Sequence, residues 1–328
     1  LPAIWLKEDN KVVDLLKVKG LKKYFPRGKK QLKAVDNVQF NIKTGETLGL
    51  VGESGSGKST LGRSILRLVE PTAGDIYFDN IHINQLGKEK LRLIRKEMQI
   101  IFQDPYSSLN PQMTVFESIH DPLKIHKIGT KIERKEKVEE MLDIVEVGKA
   151  FADAYPCEFS GGQQQRIGIA RALILRPRFI VCDEPVSALD VSIQAQIISL
   201  LIRLKEKYNL SFLFISHDLA VVKYISDKVA VMYLGQIVEI GKKELIFKNP
   251  LHPYTKALID SVPKIPKGGK LQKRYKTLEG EIPSPIDLPK GCCFQSRCPI
   301  ASKVCIERDP VLEEYNQGQK AACFHISS

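Results

Sequence analysis

The sequence predicts an α/β fold built around a glycine-rich loop, with a small cysteine-rich domain at its C-terminal end. Three observations predict it. The run Thr47–Thr60 (T-L-G-L-V-G-E-S-G-S-G-K-S-T) sets a short apolar strand, a glycine-rich loop and the start of an amphipathic helix one after another. Two further apolar runs, Phe179–Cys182 and Phe212–Ile215, stop at the polar clusters Asp183-Glu184 and Ser216-His217-Asp218. Buried strands of an open sheet end this way where they face a ligand. Finally, Cys292, Cys293, Cys298, Cys305 and Cys323 crowd the end of a chain with seven cysteines in all.

The glycine loop fits G-x-x-x-x-G-K-[ST] from Gly52 to Ser59. Gly52, Gly55 and Gly57 allow backbone N–H groups to turn inward around a polyphosphate, with no Cβ in the way. The following helix presents its positive end behind those donors. Lys58 supplies a point charge for the terminal phosphates, and the Ser59 hydroxyl is a hard oxygen ligand for Mg²⁺.

With 328 residues, the chain has room for about two domains of roughly 150 residues each. Hydrophobic content of 43% and charged content of 27% describe an ordinary globular protein. No apolar run approaches the roughly 18–20 residues needed to cross a bilayer, and no secretory leader is expected. The net charge of +12 would suit nucleic acid, a nucleotide or an anionic membrane surface. The basic residues are dispersed and lack interleaved aromatics, so no nucleic-acid partner is expected. A solvated basic surface facing a cytoplasmic leaflet is expected instead.

Upstream of the loop, Val38, Phe40 and Ile42 alternate with polar residues as a half-buried strand does. Tyr24–Gly28 reads as the turn ahead of it. Tyr24 has two readings, edge packing on that sheet or an aromatic face for a purine base. After the glycine-loop helix, Ile76–Phe78 and Ile81–Ile83 read as a hairpin, and Met98–Phe102 as a strand ending at Gln103. Residues 107–154 read as helices and polar connectors, with Val138, Met141, Leu142 and Val145 on one helical face. Ser160-Gly161-Gly162-Gln163 precedes a helix beginning near Gln164, with Ser160 as its N-cap. Asp183 and Glu184 end a buried strand and offer one carboxylate to Mg²⁺ and one to a water molecule. Ser187–Asp190 is a tight connector, and residues 229–240 form a closing hairpin through Leu234-Gly235. The texture changes near Lys248, followed by a Pro/Gly/Lys-rich linker at 263–276.

The motifs stand in the order Tyr24, glycine loop, Gln103, Ser160–Gln163, Asp183-Glu184, Ser187–Asp190, His217. Together they resemble the nucleotide-binding subunit of an ATP-binding cassette (ABC) transporter, over roughly residues 14–248. The resemblance implies a P-loop NTPase domain with a RecA-like core, an antiparallel β subdomain and a helical insertion at about 106–167. A small Cys-rich C-terminal domain, an extension carrying the cysteine cluster, would span 249–328, with the domain boundary at about residue 248. By the same resemblance Tyr24 would stack on adenine, and the backbone amides from Ser54 to Thr60, Ser56 among them, would hold the phosphates with Lys58. Ser59 and Gln103 would ligate Mg²⁺, with Asp183 reached through water. Glu184 would be the general base for the attacking water, and His217 would contact the γ-phosphate. Ser160, Gly161, Gly162, Gln163 and Asp190 would act on ATP held by the opposite subunit, so two cassettes would meet head to tail. Phe159 stands where relatives usually have Leu, an apolar exchange.

Phe102–Pro111, His252-Pro253-Tyr254-Thr255 and the tail Gly291-Cys292…Arg297-Cys298-Pro299 narrow the resemblance to ATPases of dipeptide/oligopeptide importers. Nickel importers are near relatives, and soluble ABC proteins acting on nucleic acid or ribosomes are the alternative outside transport. Tyr106–Pro111 is similar to the second ATPase subunit of such systems. The implied partners are a paralogous ATPase subunit, two transmembrane permease subunits and an extracytoplasmic peptide-binding protein, at the cytoplasmic face of the membrane. Cys292, Cys298, Cys305 and Cys323 follow C-x5-C-x6-C-x17-C, which is not a zinc-ribbon pattern. The resemblance implies a [4Fe–4S] cluster on these four thiolates, with Zn²⁺ or disulfides as alternatives. Cys293 could take the place of Cys292.

Overall fold

The computed structural model describes residues 14–261, 283–286, 288–316 and 318–326. The linker expected at 263–276 lies outside these residues. Strands β1 (Asp14–Arg27) and β2 (Lys30–Lys43) form a long antiparallel hairpin. Its turn is confined to Gly28 and Lys29, with Gly28 at φ 60°. The turn expected at Tyr24–Gly28 is therefore corrected: Tyr24 to Arg27 are paired strand residues. Strand β3 (Thr47–Val51), buried throughout, runs into the glycine loop and helix α1 (Lys58–Ile65). The expected second hairpin is β4 (Ala73–Phe78) with β5 (Ile81–His82). Helix α2 (Lys88–Ile94) then leads to β6 (Met98–Ile101).

The helical stretch comprises α3 (Pro105–Ser108), α4 (Val115–Ile125), α5 (Lys131–Ile144) and α6 (Gly161–Leu173). Thr114 with Glu117 and Thr130 with Glu133 close capping boxes, which fix where α4 and α5 begin. Ser160 and Gln163 do the same for α6, which thus starts at Gly161, not near Gln164. Glycines at the first two helical positions hide that start from a propensity reading. Next come β7 (Phe179–Asp183), α7 (Val191–Tyr208), β8 (Ser211–Ile215), α8 (Leu219–Ile225), β9 (Lys228–Tyr233) and β10 (Gln236–Lys242). Beyond them lie α9 (Lys243–Lys248), α10 (Pro253–Asp260), α11 (Lys303–Glu307), β11 (Glu313–Asn316) and β12 (Gln319–Ala321).

The central sheet has eight strands in the order β11-β12-β10-β9-β3-β8-β7-β6. From β9 to β6 neighbouring strands are parallel. Every residue of β3, β7 and β8 is buried, which is why these strands read as unbroken apolar runs. Alternate side chains serve two cores. Leu48, Leu50, Val181, Leu213 and Ile215 pack toward the four-stranded sheet β2-β1-β4-β5. Val51, Ile180, Cys182, Phe212 and Phe214 face the core shared with the helical stretch.

The C-terminal segment differs from the separate cysteine-rich domain expected after residue 248. Strand β12 pairs with β10 and extends the central sheet, and Cys292, Cys293, Phe294 and Cys305 belong to the main core. Gln319, fully buried, donates to Glu239 Oε1 at 2.8 Å and ties that edge together.

Candidate nucleotide site

Register brings the chemistry to one edge. Leu50 and Asp183 both align with Ile215, so the loop after β3, the carboxylates ending β7 and the Ser216-His217 turn after β8 share the same end of the sheet. A cavity of about 680 Å³ opens there. Ser54, Gly55, Gly57, Lys58, Ser59 and Thr60 line it with Gln103, Glu184 and His217. Phe25, Leu32, Ala34 and Pro285 form its apolar end.

The loop's shape requires glycine at two points. Gly57 has φ 102°, and a Cβ there would stand 2.0 Å from the Ala34 carbonyl oxygen. At Gly52, φ 155°, a Cβ would meet the Met232 carbonyl oxygen at 2.1 Å. Lys58 is buried, and its Nζ donates to the carbonyls of Gly52 at 2.8 Å and Glu53 at 2.9 Å. Burial lowers its pKa, against the pull of Glu184, Asp183 and Glu53. The ammonium thus sits over the loop, where it can exchange carbonyl partners for phosphate oxygens.

The Ser59 hydroxyl donates to Asp183 Oδ1 at 2.7 Å. Asp183 Oδ2 is buried without a hydrogen bond and faces Arg63 across 3.5 Å. Burial raises the Asp183 pKa, with Ser59 and Arg63 opposing. A serine hydroxyl, a buried carboxylate with an unused oxygen and the Gln103 amide nearby form an oxygen donor set that fits Mg²⁺. Gln103 Nε2 donates to Glu184 Oε2 at 3.2 Å, and His217 Nδ1 lies 3.2 Å from that same oxygen. Glu184 holds φ 47°, and its N–H donates to the Ile215 carbonyl at 3.0 Å. That unusual backbone turns its carboxylate out of the sheet into the cavity.

Tyr24 is placed differently from the expectation. Its hydroxyl donates to Asp36 Oδ1 at 2.5 Å, and the neighbouring Phe25 lines the cavity in its place. Successive residues of a strand face opposite ways, so only one of the two aromatics can reach a ligand. Sequence reading missed Phe25, Leu32, Ala34 and Pro285; for Phe25, strand alternation says that one of two neighbouring aromatics faces the cavity but not which.

Ser160, Gly161, Gly162, Gln163 and Asp190 are absent from the cavity lining. Ser160, Gln163 and Asp190 are exposed, at the N-termini of α6 and α7. Gly162 packs against α7, where a Cβ would stand 2.5 Å from Ile193 Cγ2. The start of α6 thus lies outside the cavity at the glycine loop.

Among the described residues, no group of three or more His, Cys, Asp or Glu side chains is arranged to hold a metal ion. The side chains as placed therefore do not show the expected cluster on Cys292, Cys298, Cys305 and Cys323. The thiols are nevertheless neighbours. Burial pushes the Cys298 thiol up, as do Cys292, Cys323 and Cys305 nearby, and Cys292 N–H donates to the Cys305 carbonyl at 2.8 Å. Cys292, not Cys293, is the one felt by Cys298 and Cys323, while Cys293 lines a separate cavity with Lys33 and Asp36. The hydrogen bond with Cys293, with His252 alongside, holds the Cys292 thiol below its usual range.

Residues 35–187 match the ABC transporter family, and residues 238–305 match the C-terminal region of oligopeptide/dipeptide transporters. The chain is 52% identical to the oligopeptide transport ATP-binding protein AppF of Bacillus subtilis over 322 residues, 96% of this chain and 98% of that one. It belongs to the ABC transporter ATP-binding proteins. The dipeptide transport ATP-binding protein DppF of Haemophilus influenzae is 48% identical to this ABC ATPase, over 95% of this chain and 97% of its own. A solved dimeric ATP-binding cassette in a post-hydrolysis state, bound to ADP and phosphate, superposes with a TM-score of 0.64 at 35% identity. The match covers 70% of this chain and 98% of that one. A cassette from Clostridium perfringens, part of the cbiONQ complex, matches with a TM-score of 0.64 at 26% identity, over 72% of this chain and 91% of that one. No helix among the described residues is long and apolar enough to cross a membrane.

Proposed function

We propose that this ABC ATPase binds ATP between itself and a second nucleotide-binding subunit, and that hydrolysis powers import of di- or oligopeptides through membrane permeases. The observation that carries the reading is the convergence in one cavity of the glycine loop, Ser59 with Asp183 bonded behind it, and the Glu184–Gln103–His217 group. Peptide as cargo is supported by residues 238–305 and by the names of the relatives.

In the proposed mechanism Phe25, with Leu32 and Pro285, supports the adenine. The amides of residues 54–60 and Lys58 hold the phosphates. Ser59, Gln103 and Asp183 would hold Mg²⁺, which neutralises charge on the β- and γ-phosphates when bound. Glu184 Oε2 takes a proton from water as the water oxygen bonds to the γ-phosphorus. The bond from that phosphorus to the β–γ bridging oxygen breaks, releasing ADP and phosphate. His217 leaves Glu184 to hydrogen-bond a γ-phosphate oxygen, positioning the group without covalent chemistry.

The exposed Ser160–Gln163 turn and Asp190 would complete the site of the opposite subunit, so ATP bridges two chains and its hydrolysis lets them separate. The partner is a paralogous ATPase, with two permeases and an extracytoplasmic peptide-binding protein completing the assembly on the cytoplasmic side. The segment 104–115, with Tyr106 exposed, would pass the motion to the permeases. We further propose that Cys292, Cys298, Cys305 and Cys323 close around a [4Fe–4S] cluster, with Zn²⁺ as the alternative, supported by Cys292 and Cys305 lying in the main core with Cys298 packed against it. A brown chromophore lost in Cys298→Ser supports the cluster, whereas colourless protein with stoichiometric zinc rejects it. The transport reading is tested by co-purifying the chain with its neighbouring subunits in vesicles. Peptide-stimulated ATP hydrolysis is expected, and hydrolysis indifferent to peptide and binding protein would reject it.

A further inference from the structure

We propose that Arg297, carried by the C-terminal segment, is a positioning residue that braces the phosphate-binding loop through Glu53. This rests on the ATP-site reading above. Glu53 is the second residue of the loop and is gripped at three places. Its carboxylate receives Arg297 in fork geometry, with Nη1 to Oε2 at 2.9 Å and Nη2 to Oε1 at 3.2 Å. Its N–H donates to the Tyr254 hydroxyl at 3.0 Å, and its carbonyl accepts from Lys58 Nζ at 2.9 Å. Two of those three grips come from beyond residue 250.

The bland reading is a surface ion pair that merely glues the tail down. Burial argues against it, because the Arg297 side chain is only 6% exposed. A two-pronged guanidinium–carboxylate contact shielded from water fixes direction as well as distance. The brace itself is anchored. Arg297 also donates to the Tyr233 hydroxyl at 3.4 Å, and Tyr233, Tyr254 and Phe294 pack in tilted and edge-on contacts with ring centroids 4.6–5.4 Å apart. Tyr254 and Phe294 are fully buried. The same segment reaches the cavity again at Pro285, which lines it and accepts a hydrogen bond from Lys33 N–H at 3.2 Å.

Glu53 stands where β3 ends and the loop begins, so its orientation sets the course of the amides that follow. Because Lys58 bonds to the Glu53 carbonyl, a pivot at Glu53 would also displace the ammonium. Arg297 touches no reacting atom, and its removal acts on how well the loop is preformed for phosphate. The effect therefore falls on nucleotide affinity more than on turnover.

The test is titration of the full-length protein with ATP and Mg²⁺, alongside thermal unfolding. Arg297→Ala is expected to raise the ATP dissociation constant about tenfold. Arg297→Lys should recover part of the loss, Glu53→Gln should weaken binding similarly, and the double variant should be no weaker than the worse single one. A lowered unfolding midpoint with unchanged ATP affinity would make Arg297 a packing residue only and overturn the proposal. If Arg297→Ala does not fold, Arg297→Lys and Glu53→Gln decide by the same criterion. Lys58→Ala run in parallel separates the two readings. Its loss of affinity with Arg297 variants unaffected rejects only the brace; normal affinity in Lys58→Ala rejects the ATP site itself.

Discussion

The Ser59 hydroxyl and the Asp183 carboxylate meet across 2.7 Å, although 124 residues separate them in the chain. The bond ties the first turn of α1 to the end of β7 and so joins the glycine loop to the buried Asp183 carboxylate. Glu184, the next residue, turns the opposite way and meets Gln103 and His217 instead. Adjacent carboxylates thereby receive different environments, one sealed by burial and one open to the cavity. That division of labour is what a metal ligand and a general base require.

Lys58→Ala should lower ATP affinity by about 2 kcal/mol or more, the scale of a charge-assisted hydrogen bond lost from a buried site. Stability should not fall in proportion, because the substitution also removes a buried ammonium. Equilibrium titration with ATP, set beside thermal unfolding, separates the two effects.

Phe25→Ala should weaken ATP binding by about 1–3 kcal/mol, the range for losing an aromatic stacking partner. Tyr24→Phe should leave affinity unchanged and cost about 1 kcal/mol of stability through the lost bond to Asp36. Competition binding with ATP against inorganic triphosphate reports the base-dependent part directly.

These two aromatics also show what the sequence can and cannot reveal. The glycine loop was legible because its strand, turn and helix are contiguous and each glycine answers a local backbone demand. The choice between Tyr24 and Phe25 depends on which way β1 faces, and the register of β1 against β2 shifts on both sides of Lys23. Local alternation cannot see those shifts. The tail was legible as chemistry but not as architecture. Its cysteines suggested a body of their own, while β12 on β10 and Phe294 beneath Tyr254 bind it into the main fold. The Arg297–Glu53 contact spans 244 residues, and no short-range pattern announces it.

Glu146 gives a pH-dependent test of how the helical stretch is joined to the core. It accepts hydrogen bonds from Arg203 of α7 and, at 2.7 Å, from Arg166 of α6. Those bonds, Arg203 first, hold its pKa below the ordinary carboxylate range. The folded value lies below the unfolded one, so the contribution is present above the unfolded pKa of about 4.3 and fades as pH falls through the folded value. Half-exposed as Glu146 is, the pair is worth no more than about 1 kcal/mol. Denaturant unfolding should find Glu146→Gln less stable at neutral pH, with the gap closing as the solution is made acidic.

The account turns on ATP being split by water that Glu184 activates, in a site that binds nucleotide independently of that step. The most direct measurement is ATP binding and phosphate release by Glu184→Gln in the assembled complex. The account predicts retained ATP, a persistent closed pairing of the two ATPase subunits, and phosphate release slowed about a thousandfold, within the range general-base removal produces. Phosphate release at the unmodified rate would contradict it.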